Sequence, residues 1–254
     1  MPVNGGHSQH GLAADWLRAS RSLCVLTGAG VSAECGLATF RGPDGLWKGN
    51  DPTRLATPAA FHRDPGAVWE FYNWRREQLR KAQPNPGHFA LAALQELLPE
   101  VNLLTQNVDR LHQQAGSRNV AELHGNIREV RCTSCAYERN GGADHLGPEP
   151  RCPECGDWLR PCVVWFGEQL PREAVALADQ WVARCDVFLS VGTSNVVWPA
   201  SAFAGLAQNR GARVIEVNLE PTPLTQVADL TLLGKAGELL PVLARAVENP
   251  PPRG

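Results

Sequence analysis

The stretch LCVLTGAGVSAECG, residues 23–36, joins a short apolar run to a glycine-rich turn. An apolar run of five residues that ends at a glycine predicts a buried strand, here Leu23–Thr27. Gly28 and Gly30 would let the backbone approach a ligand closely, and a helix that begins there would offer free N–H groups to a pyrophosphate. The spacing departs from G-x-G-x-x-G, because Ala33 stands where the third glycine would be. By itself the turn leaves a dinucleotide site and a plain tight turn as alternatives, and it disfavours a hydride-transferring dehydrogenase.

Further apolar runs repeat the pattern of the first one, and segments with helical periodicity separate them. The runs are Val101–Thr105, Cys185–Val191 and Arg213–Asn218, and the helical segments are Pro86–Leu98, Pro171–Ala183, Pro199–Asn209 and Ala236–Val247. Alternation of strands and helices is typical of a parallel, doubly wound sheet. We therefore expect a Rossmann-like α/β fold, with a ligand cleft at the carboxyl ends of its strands.

Charge and hydropathy exclude several classes of protein. The 254 residues are 43% hydrophobic and 20% charged, which is enough for one large or two unequal domains. Lys and Arg number 24 against 26 Asp and Glu, a net charge of −2, so the chain has no basic field for nucleic acid. Every apolar run is shorter than the ~20 residues of a membrane helix, and the first ten residues, MPVNGGHSQH, show no secretory signal. We therefore expect a cytoplasmic protein without direct nucleic acid or membrane partners.

Four of the eight cysteines form two close pairs, Cys132/Cys135 and Cys152/Cys155, with 16 residues between the pairs. Two such pairs supply four thiolates, which is the donor set of tetrahedral Zn²⁺, and they leave no coordination position open. We expect one structural zinc ion, with disulfides or free thiols as the alternative. The remaining cysteines are scattered among apolar or glycine-rich neighbours, which predicts small core side chains: Cys24, Cys35, Cys162 and Cys185.

Two stretches interrupt the alternation, and we expect them to form a smaller second domain. Residues 42–83 contain a Gly/Pro/Asp-rich loop and an aromatic helix, and residues 128–160 carry the paired cysteines. The expected division is a Rossmann-like domain of residues 1–41, 84–127 and 161–248, a helical insertion at 42–83, a zinc-binding module at 128–160 and a flexible tail at 249–254.

Polar side chains gather where predicted strands end. Residues 105–112, TQNVDRLH, leave the second strand, and residues 122–126, ELHGN, follow another short apolar run. A core would not hold Gln, Asn, Asp and His so close together without partners, so these residues predict a functional site. His124, with Gly125 and Asn126 after it, is the best candidate for a general base. Weaker candidates are His7, His10, His62, His88 and His145.

Several motifs occur in the order found in sirtuins, and the chain resembles this family from about Leu23 to Pro241. They are GAGVS at 28–32, TFRG at 39–42, TQNVD at 105–109, LHGN at 123–126, the paired cysteines, VWFGE at 164–168 and GTS at 192–194. Sirtuins are NAD-dependent protein-lysine deacylases with a Rossmann-like NAD-binding domain. The resemblance implies an enzyme that consumes NAD and an acylated-lysine protein or peptide, and releases nicotinamide and O-acyl-ADP-ribose. The oligomeric state stays open, with a monomer as the expectation.

The resemblance also implies roles for particular residues. His124 matches the base that deprotonates a ribose hydroxyl, and Asn107 and Asp109 complete the catalytic set. The positions that match the NAD site are Gly28, Ala29, Gly30, Ser32, Ala33, Phe40, Arg41, Trp47, Gln106, Asn107, Asp109, Gly192, Thr193, Ser194, Asn218, Leu219, Glu220 and Ala236. A substrate peptide would add as a strand to the segment that consists of Val164, Trp165, Phe166, Gly167 and Glu168.

The similarity is closest to class III sirtuins, which include desuccinylases, because LATP at 55–58 and Y-x-x-R at 72–75 match that class. Tyr72 and Arg75 would lie on one face of a helix, where a phenol and a guanidinium can hold a carboxylate. Ala56 resembles the small residue that leaves room for a longer acyl chain. We expect succinyl-lysine, with malonyl- and glutaryl-lysine as further acidic substrates, to react faster than acetyl-lysine. In the alternative, Tyr72 packs in the core, and Arg75 and Arg76 form a solvated helix face.

Two other functions remain as alternatives. Mono-ADP-ribosyl transfer would use the same NAD site, and the acceptor would gain ADP-ribose instead of losing an acyl group. A non-catalytic NAD-sensing or zinc-ribbon interaction module would need neither His124 nor the polar residues near it, which argues against that function.

Overall fold

The computed structural model describes residues 8–37, 54–142 and 144–250, and these residues form two β-sheets. The strands are, in chain order, β1 Leu23–Thr27, β2 Val101–Thr105, β3 Val120–Glu122, β4 Gly125–Cys132, β5 Glu138–Asn140, β6 Leu159–Val163, β7 Val187–Val191, β8 Arg213–Asn218 and β9 Leu230–Leu233. The larger sheet is parallel with the order β3-β2-β1-β7-β8-β9, and the smaller one is antiparallel with the order β5-β4-β6. The strand order of the larger sheet switches between β1 and β7, which is where ligand crevices open in such sheets. The predicted Rossmann-like α/β fold is confirmed.

Helices cover both faces of the larger sheet and one side of the smaller sheet. They are α1 Gln9–Ala19, α2 Ala29–Ala33, α3 Pro58–Arg63, α4 Pro65–Lys81, α5 Pro86–Leu97, α6 Leu111–Gln114, α7 Arg172–Arg184, α8 Phe203–Asn209 and α9 Ala236–Glu248. Pro follows the N-cap of α3, α4 and α5, where its missing N–H costs no hydrogen bond. No helix in the described ranges is long and apolar enough to cross a membrane.

Alternate residues of the central strands pack on opposite faces of the larger sheet. Leu23 and Val25 of β1 lie in the cluster that includes α1, α5 and α9, whereas Cys24 and Leu26 lie in the cluster that includes α7 and α8. All residues of β1 are buried, as expected for a parallel strand covered on both faces. The strand ends, and not the sheet faces, are therefore available for a site.

A third apolar cluster joins α3 and α4 to the smaller sheet. Trp69 and Tyr72 of α4 are buried with Val130 of β4 and Leu159 of β6. The indole N–H of Trp69 donates to the carbonyl oxygen of Leu159 at 2.7 Å. The helical insertion and the cysteine module therefore share one core.

Arg76 lies inside this part of the molecule although it is charged. Its side chain is fully buried and donates to the carbonyl oxygens of Asp144 at 3.0 Å, Gly142 at 2.7 Å and Ile127. Burial lowers the pKa of Arg76 to about 10, which still leaves the guanidinium charged at neutral pH. The alternative of a solvated helix face is therefore wrong for Arg76.

The predicted strands and helices are found close to their expected bounds, with two informative differences. The expected strand Cys185–Val191 begins at Val187, because Cys185 is the C-cap of α7 and donates its N–H to the carbonyl of Trp181. The expected helix Pro199–Asn209 opens as a 3-10 turn, Ala200–Ala202, before α8. The sequence does not predict α1 or β9, and it indicates β3 only as a short apolar run before the ELHGN segment. Both strands are too short to show a period of two.

Candidate active site

The glycine-rich turn after β1 packs directly against the turn after β7. The N–H of Gly28 donates to the carbonyl of Val191 at 3.0 Å, and the N–H of Gly30 donates to the carbonyl of Gly192 at 2.8 Å. A Cβ atom on Gly30 would lie 2.7 Å from Cα and the carbonyl oxygen of Gly192, which is closer than real Cβ contacts. Gly30 is therefore required for the close contact between the two backbone turns, independently of any ligand.

Three buried side chains, one from α2 and two from the segment after β2, form a hydrogen-bonded cluster at the ends of β1 and β2. The hydroxyl of Ser32 donates to Oδ2 of Asp109 at 2.8 Å, and the amide of Asn107 donates to the carbonyl of Gly28 at 3.0 Å. The N–H of Leu111 donates to the other carboxylate oxygen of Asp109 at 2.9 Å. Burial raises the pKa of Asp109, and these two donors partly offset the effect. The cluster holds Asn107 and Asp109 in fixed orientations before any ligand arrives.

A second set of hydrogen bonds joins the loops after β2, β7 and β8. The amide of Gln106 donates to Oγ1 of Thr193 at 2.9 Å, and the amide of Asn218 donates to the carbonyl of Thr193 at 2.8 Å. Ser194 is half-buried beside them. Residues that the sequence assigns to the NAD site thus meet at one edge of the larger sheet.

His124 lies at the junction of the two sheets with one ring nitrogen engaged. Its Nδ1 is 3.0 Å from the carbonyl oxygen of Gln106, and a carbonyl can only accept, so Nδ1 carries the hydrogen and donates. The lone pair of the neutral ring is therefore on Nε2. Burial lowers the pKa of His124, and the bond to Gln106 offsets part of that shift. The ring is therefore neutral at physiological pH.

The strand that begins after His124 is placed by a close backbone contact. Gly125 has φ +67, and a Cβ atom there would lie 2.0 Å from the carbonyl oxygen of Cys162. On the other side, the N–H of Val164 donates to the carbonyl of His124 at 2.9 Å. The histidine and the predicted peptide-binding segment are therefore joined through their backbones.

Two buried histidines lie beneath the polar cluster, and sequence reasoning did not place them there. The rings of His88 and His112 are 4.7 Å apart, and Nε2 of His112 is 2.9 Å from Oγ1 of Thr27. Burial lowers the pKa of His88 to about 4 and holds the pKa of His112 well below its ordinary value. Their neighbour Thr27 donates to Oγ1 of Thr105, which in turn accepts the N–H of Asn107 at 3.1 Å. A threonine at the end of each of two adjacent strands is the signal that could have predicted this network.

The predicted acyl-reading residues occupy one region between α4 and the 164–168 segment. Ala56 is buried, and its carbonyl accepts the N–H of Phe166 at 2.9 Å. Tyr72 is buried, and its hydroxyl oxygen accepts the indole N–H of Trp165 at 2.9 Å. Burial lowers the pKa of Arg75, while the nearby Tyr72 and Asp109 oppose that shift. Tyr72 thus packs in a core, as the alternative to the acyl-binding role expected. It nevertheless lies in the same region as Ala56 and Arg75.

The 164–168 segment is anchored by an ion pair. Arg160 donates to both carboxylate oxygens of Glu168, at 2.6 and 2.9 Å, and Glu168 also accepts the N–H of Trp165 at 2.8 Å. Gly167 has φ +90, which the turn before Glu168 requires. Phe166 is half exposed. The segment therefore presents an exposed aromatic side chain from a fixed backbone.

The remaining predicted NAD contacts are spread more widely. Ala29 is half-buried at the start of α2, and Ala33 is exposed at its end. Leu219 and Glu220 are exposed after β8, whereas Ala236 is buried at the start of α9. Phe40, Arg41 and Trp47 lie outside the described residues.

The four paired cysteines converge as the sequence predicts. Their sulfur atoms all lie within 4.8 Å of one another, with Cys132 3.4 Å from Cys155 and Cys135 3.6 Å from Cys152. A tetrahedron with Zn–S bonds of ~2.3 Å has S···S edges of about 3.8 Å, whereas a disulfide needs ~2.05 Å. No disulfide joins any of the eight cysteines, all of which lie in the described residues, so the disulfide alternative is wrong. The geometry fits a structural zinc ion. Cys24 and Cys185 are buried as expected, but Cys35 and Cys162 are only half-buried.

Known proteins resemble this chain along nearly its whole length. The Sir2 family model matches residues 28–199. An NAD-dependent protein deacylase of Thermococcus kodakarensis is 51% identical over 246 residues, which cover 94% of this chain and 96% of the relative. NAD-dependent protein deacylase 1 of Pseudomonas aeruginosa is 49% identical over 238 residues and covers 90% of this chain and 95% of its own length.

Solved structures show the same similarity. A complex of a Sir2 homologue with NAD superposes with a TM-score of 0.90 at 48% identity, and covers 97% of this chain and 96% of that chain. A complex of Sir2 with a p53 peptide and NAD⁺ has a TM-score of 0.82 at 33% identity, and the match covers 92% of this chain and 95% of that chain. A mutant Sir2 homologue bound to 2′-O-acetyl ADP ribose has a TM-score of 0.90 at 49% identity, and covers 92% and 95%.

Proposed function

We propose that this chain, which belongs to the Sir2 family and is an NAD-dependent protein deacylase, removes acidic acyl groups from protein lysines more efficiently than acetyl groups. One observation supports this selectivity: Tyr72, Arg75 and Ala56 gather beside the 164–168 segment, which follows β6. The substrates are NAD and a protein or peptide that carries succinyl-, malonyl- or glutaryl-lysine, with acetyl-lysine as a slower substrate. The products are nicotinamide and O-acyl-ADP-ribose.

His124 is the general base in this proposal. The acyl carbonyl oxygen attacks the ribose carbon as nicotinamide leaves, and Nε2 of His124 then takes a proton from a ribose hydroxyl. The bond from Nδ1 to the carbonyl of Gln106 supports this role, because it fixes the tautomer and the ring orientation. The lowered pKa keeps Nε2 unprotonated at neutral pH.

Asn107, Asp109 and Gln106 orient the nicotinamide riboside half of NAD in this proposal, and residues 192–194 and 218–220 hold the adenosine half. The bonds from Ser32 to Asp109 and from Gln106 to Thr193 support this division, because they pre-orient both groups of side chains. Ala29, Gly30, Ala33 and Ala236 also belong to the proposed NAD site.

The acidic acyl chain would end between Tyr72 and Arg75. Arg75 offers a planar fork for a carboxylate, and a charge-assisted hydrogen bond away from bulk water is roughly twice as strong as a neutral one. An acetyl group would leave these donors without a ligand partner. The small side chain of Ala56 leaves space for a longer chain on the same side.

We also propose that the zinc ion is structural and that the chain divides as its sequence predicts, into a Rossmann-like domain and a small domain of residues 42–83 and 128–160. When bound by Cys132, Cys135, Cys152 and Cys155, zinc supplies a cross-link between the ends of β4 and β6 and no catalytic step. The cluster that α4 shares with the smaller sheet supports one small domain built from both insertions.

The experiment compares one peptide sequence that carries either succinyl- or acetyl-lysine. We expect a higher kcat/KM for the succinyl peptide with the unaltered enzyme. Arg75→Met and Tyr72→Phe should each lower kcat/KM for succinyl by about 30- to 150-fold, which corresponds to ~2–3 kcal/mol, with little loss for acetyl. His124→Ala should lower turnover of both by roughly 10²–10⁴.

Equal losses on both peptides would show that Tyr72 and Arg75 support the fold and do not read the acyl chain. Mass analysis of the acceptor peptide separates the reaction classes, because deacylation removes the acyl mass and ADP-ribosyl transfer adds ADP-ribose. Near-normal deacylation by His124→Ala would assign the base to another residue.

A further inference from the structure

The hydrogen bond between Trp165 and Tyr72 constrains the direction in which the tyrosine can donate. Both side chains are almost fully buried, and the indole Nε1 lies 2.9 Å from the phenol oxygen. An indole N–H can only donate, so the Tyr72 oxygen is the acceptor. The phenol hydrogen is then left for a different acceptor, and no described residue supplies one.

The indole of Trp165 is itself held rigidly by groups on both sides. The guanidinium carbon of Arg160 lies 3.4 Å from the ring centroid, and the ring of Phe61 lies 5.1 Å away on a tilted plane. Arg160 is buried and fixed by its two bonds to Glu168, which also accepts the backbone N–H of Trp165. The indole N–H therefore has little freedom to turn away from Tyr72.

We propose that Trp165 is a positioning residue for acyl selectivity: its indole N–H occupies the Tyr72 oxygen and directs the phenol hydrogen toward the carboxylate of the acyl chain. This inference rests on the proposed preference for acidic acyl groups and names a residue that produces it. A hydroxyl whose oxygen already accepts one hydrogen bond is a stronger donor through the other, because successive hydrogen bonds polarise one another. A carboxylate can accept that stronger hydrogen bond, whereas the methyl group of an acetyl chain cannot accept any.

The state of Tyr72 is consistent with this role. Burial raises the pKa of Tyr72 to about 12, so the phenol keeps its hydrogen through the pH range of any activity assay. Nearby Arg75 and Arg160 oppose the shift only in part. Tyr72 therefore acts as a donor, and Arg75 supplies the positive charge.

A purely structural role for the same bond makes a different prediction. If the bond only held the 164–168 segment against α4, its loss would disturb every peptide that binds to that segment. Succinyl and acetyl substrates would then lose activity in parallel. A positioning role instead changes the ratio of the two, and it does so only while the Tyr72 hydroxyl is present.

The test is a double-mutant cycle read as the succinyl-to-acetyl ratio of kcat/KM. Trp165→Phe keeps an aromatic ring against Phe61 and Arg160 but removes the N–H, and we expect the ratio to fall about 3- to 10-fold. In a Tyr72→Phe background, the same change should not lower the ratio further. Trp158→Phe is the matched control, because Trp158 also packs on Phe61 at 6.2 Å but does not contact Tyr72 through a hydrogen bond. Its ratio should equal that of the unaltered enzyme.

A second variant guards against misfolding of Trp165→Phe. Incorporation of the benzothienyl analogue of tryptophan at position 165 keeps both rings and replaces only the N–H with sulfur, and it should reproduce the fall in ratio. An unchanged ratio in that variant, or an equal fall in the Tyr72→Phe background, would overturn the inference. If Tyr72→Phe lowers the ratio and the position 165 variants do not, only this inference fails. If the unaltered enzyme shows no preference for succinyl, both the proposed selectivity and this inference fail.

Discussion

Replacing Arg76 by Met should destabilise the small domain, because the substitution leaves one buried carbonyl group and two more accessible ones without their donor. The guanidinium of Arg76 donates to the carbonyls of Ile127, Gly142 and Asp144, and its side chain is fully buried. Met fills a similar length with no donor. Ile127 is buried, whereas Gly142 is half-buried and Asp144 is exposed, so water can reach the last two carbonyls. An orphaned buried polar group costs about 1–3 kcal/mol, and we expect a loss of about that size from the Ile127 carbonyl.

The assay is urea unfolding at pH 7, followed by tryptophan fluorescence, on Arg76→Met and on Arg80→Met. Arg80 lies on the same helix, is exposed, and pairs with the neighbouring Glu77. Its replacement should change the free energy of unfolding by less than about 0.5 kcal/mol. A loss below 1 kcal/mol for Arg76→Met would refute the reasoning, since water or a shifted backbone would then satisfy the carbonyls as well as the guanidinium does.

Three further predictions concern the histidines and Gly125. His88 has a folded pKa of about 4 against an ordinary 6.5, so its contribution to stability is complete above pH 6.5 and is lost as the pH falls toward 4. The free energy of unfolding in urea should fall between pH 7 and pH 4.5, and the fall should be smaller in His88→Asn than in the unaltered protein by up to ~3 kcal/mol. An equal fall in the two proteins would contradict the assignment. The apparent pKa of the acid limb of the kcat/KM profile should lie below the ordinary histidine value of 6.5, because burial lowers the pKa of His124. An apparent pKa above 6.5 would point to another base. Gly125→Ala should lower the midpoint of thermal unfolding and turnover together, since its Cβ would meet the Cys162 carbonyl at 2.0 Å, whereas Gly156→Ala, with nothing within 4 Å, should cost only the strain of a positive φ.

The larger sheet and the cysteine cluster could be predicted because both produce local patterns in the sequence. Buried parallel strands such as Leu23–Thr27 are nearly continuous apolar runs, and two Cys-x-x-Cys pairs carry their spacing with them. The short strand β9 carries no such pattern, and β3 shows only a brief apolar run before Glu122. Local signals thus identify elements that are long or that have fixed spacing.

The environment of single side chains could not be predicted, because their partners are distant in the sequence. Arg76 looks like its neighbour Arg75 in the sequence, and only the fold brings the carbonyls of the 127–144 region around it. The hydrogen bond that Tyr72 accepts comes from Trp165, which is 93 residues away. The tautomer of His124 depends on the carbonyl of Gln106, which belongs to another loop.

The strand β4 has a consequence for how this enzyme would respond to its surroundings. It runs from Gly125, next to the proposed base, to Cys132 in the thiol cluster, and β6 returns from the cluster region to the segment that begins at Val164. Eight residues of strand span roughly 25 Å, so the cluster and the cleft are far apart yet share two continuous backbones. Oxidants or soft heavy metals that attack thiolates would therefore slow turnover without competing with either substrate. The enzyme would carry an exposed point of chemical vulnerability far from the place where its chemistry occurs.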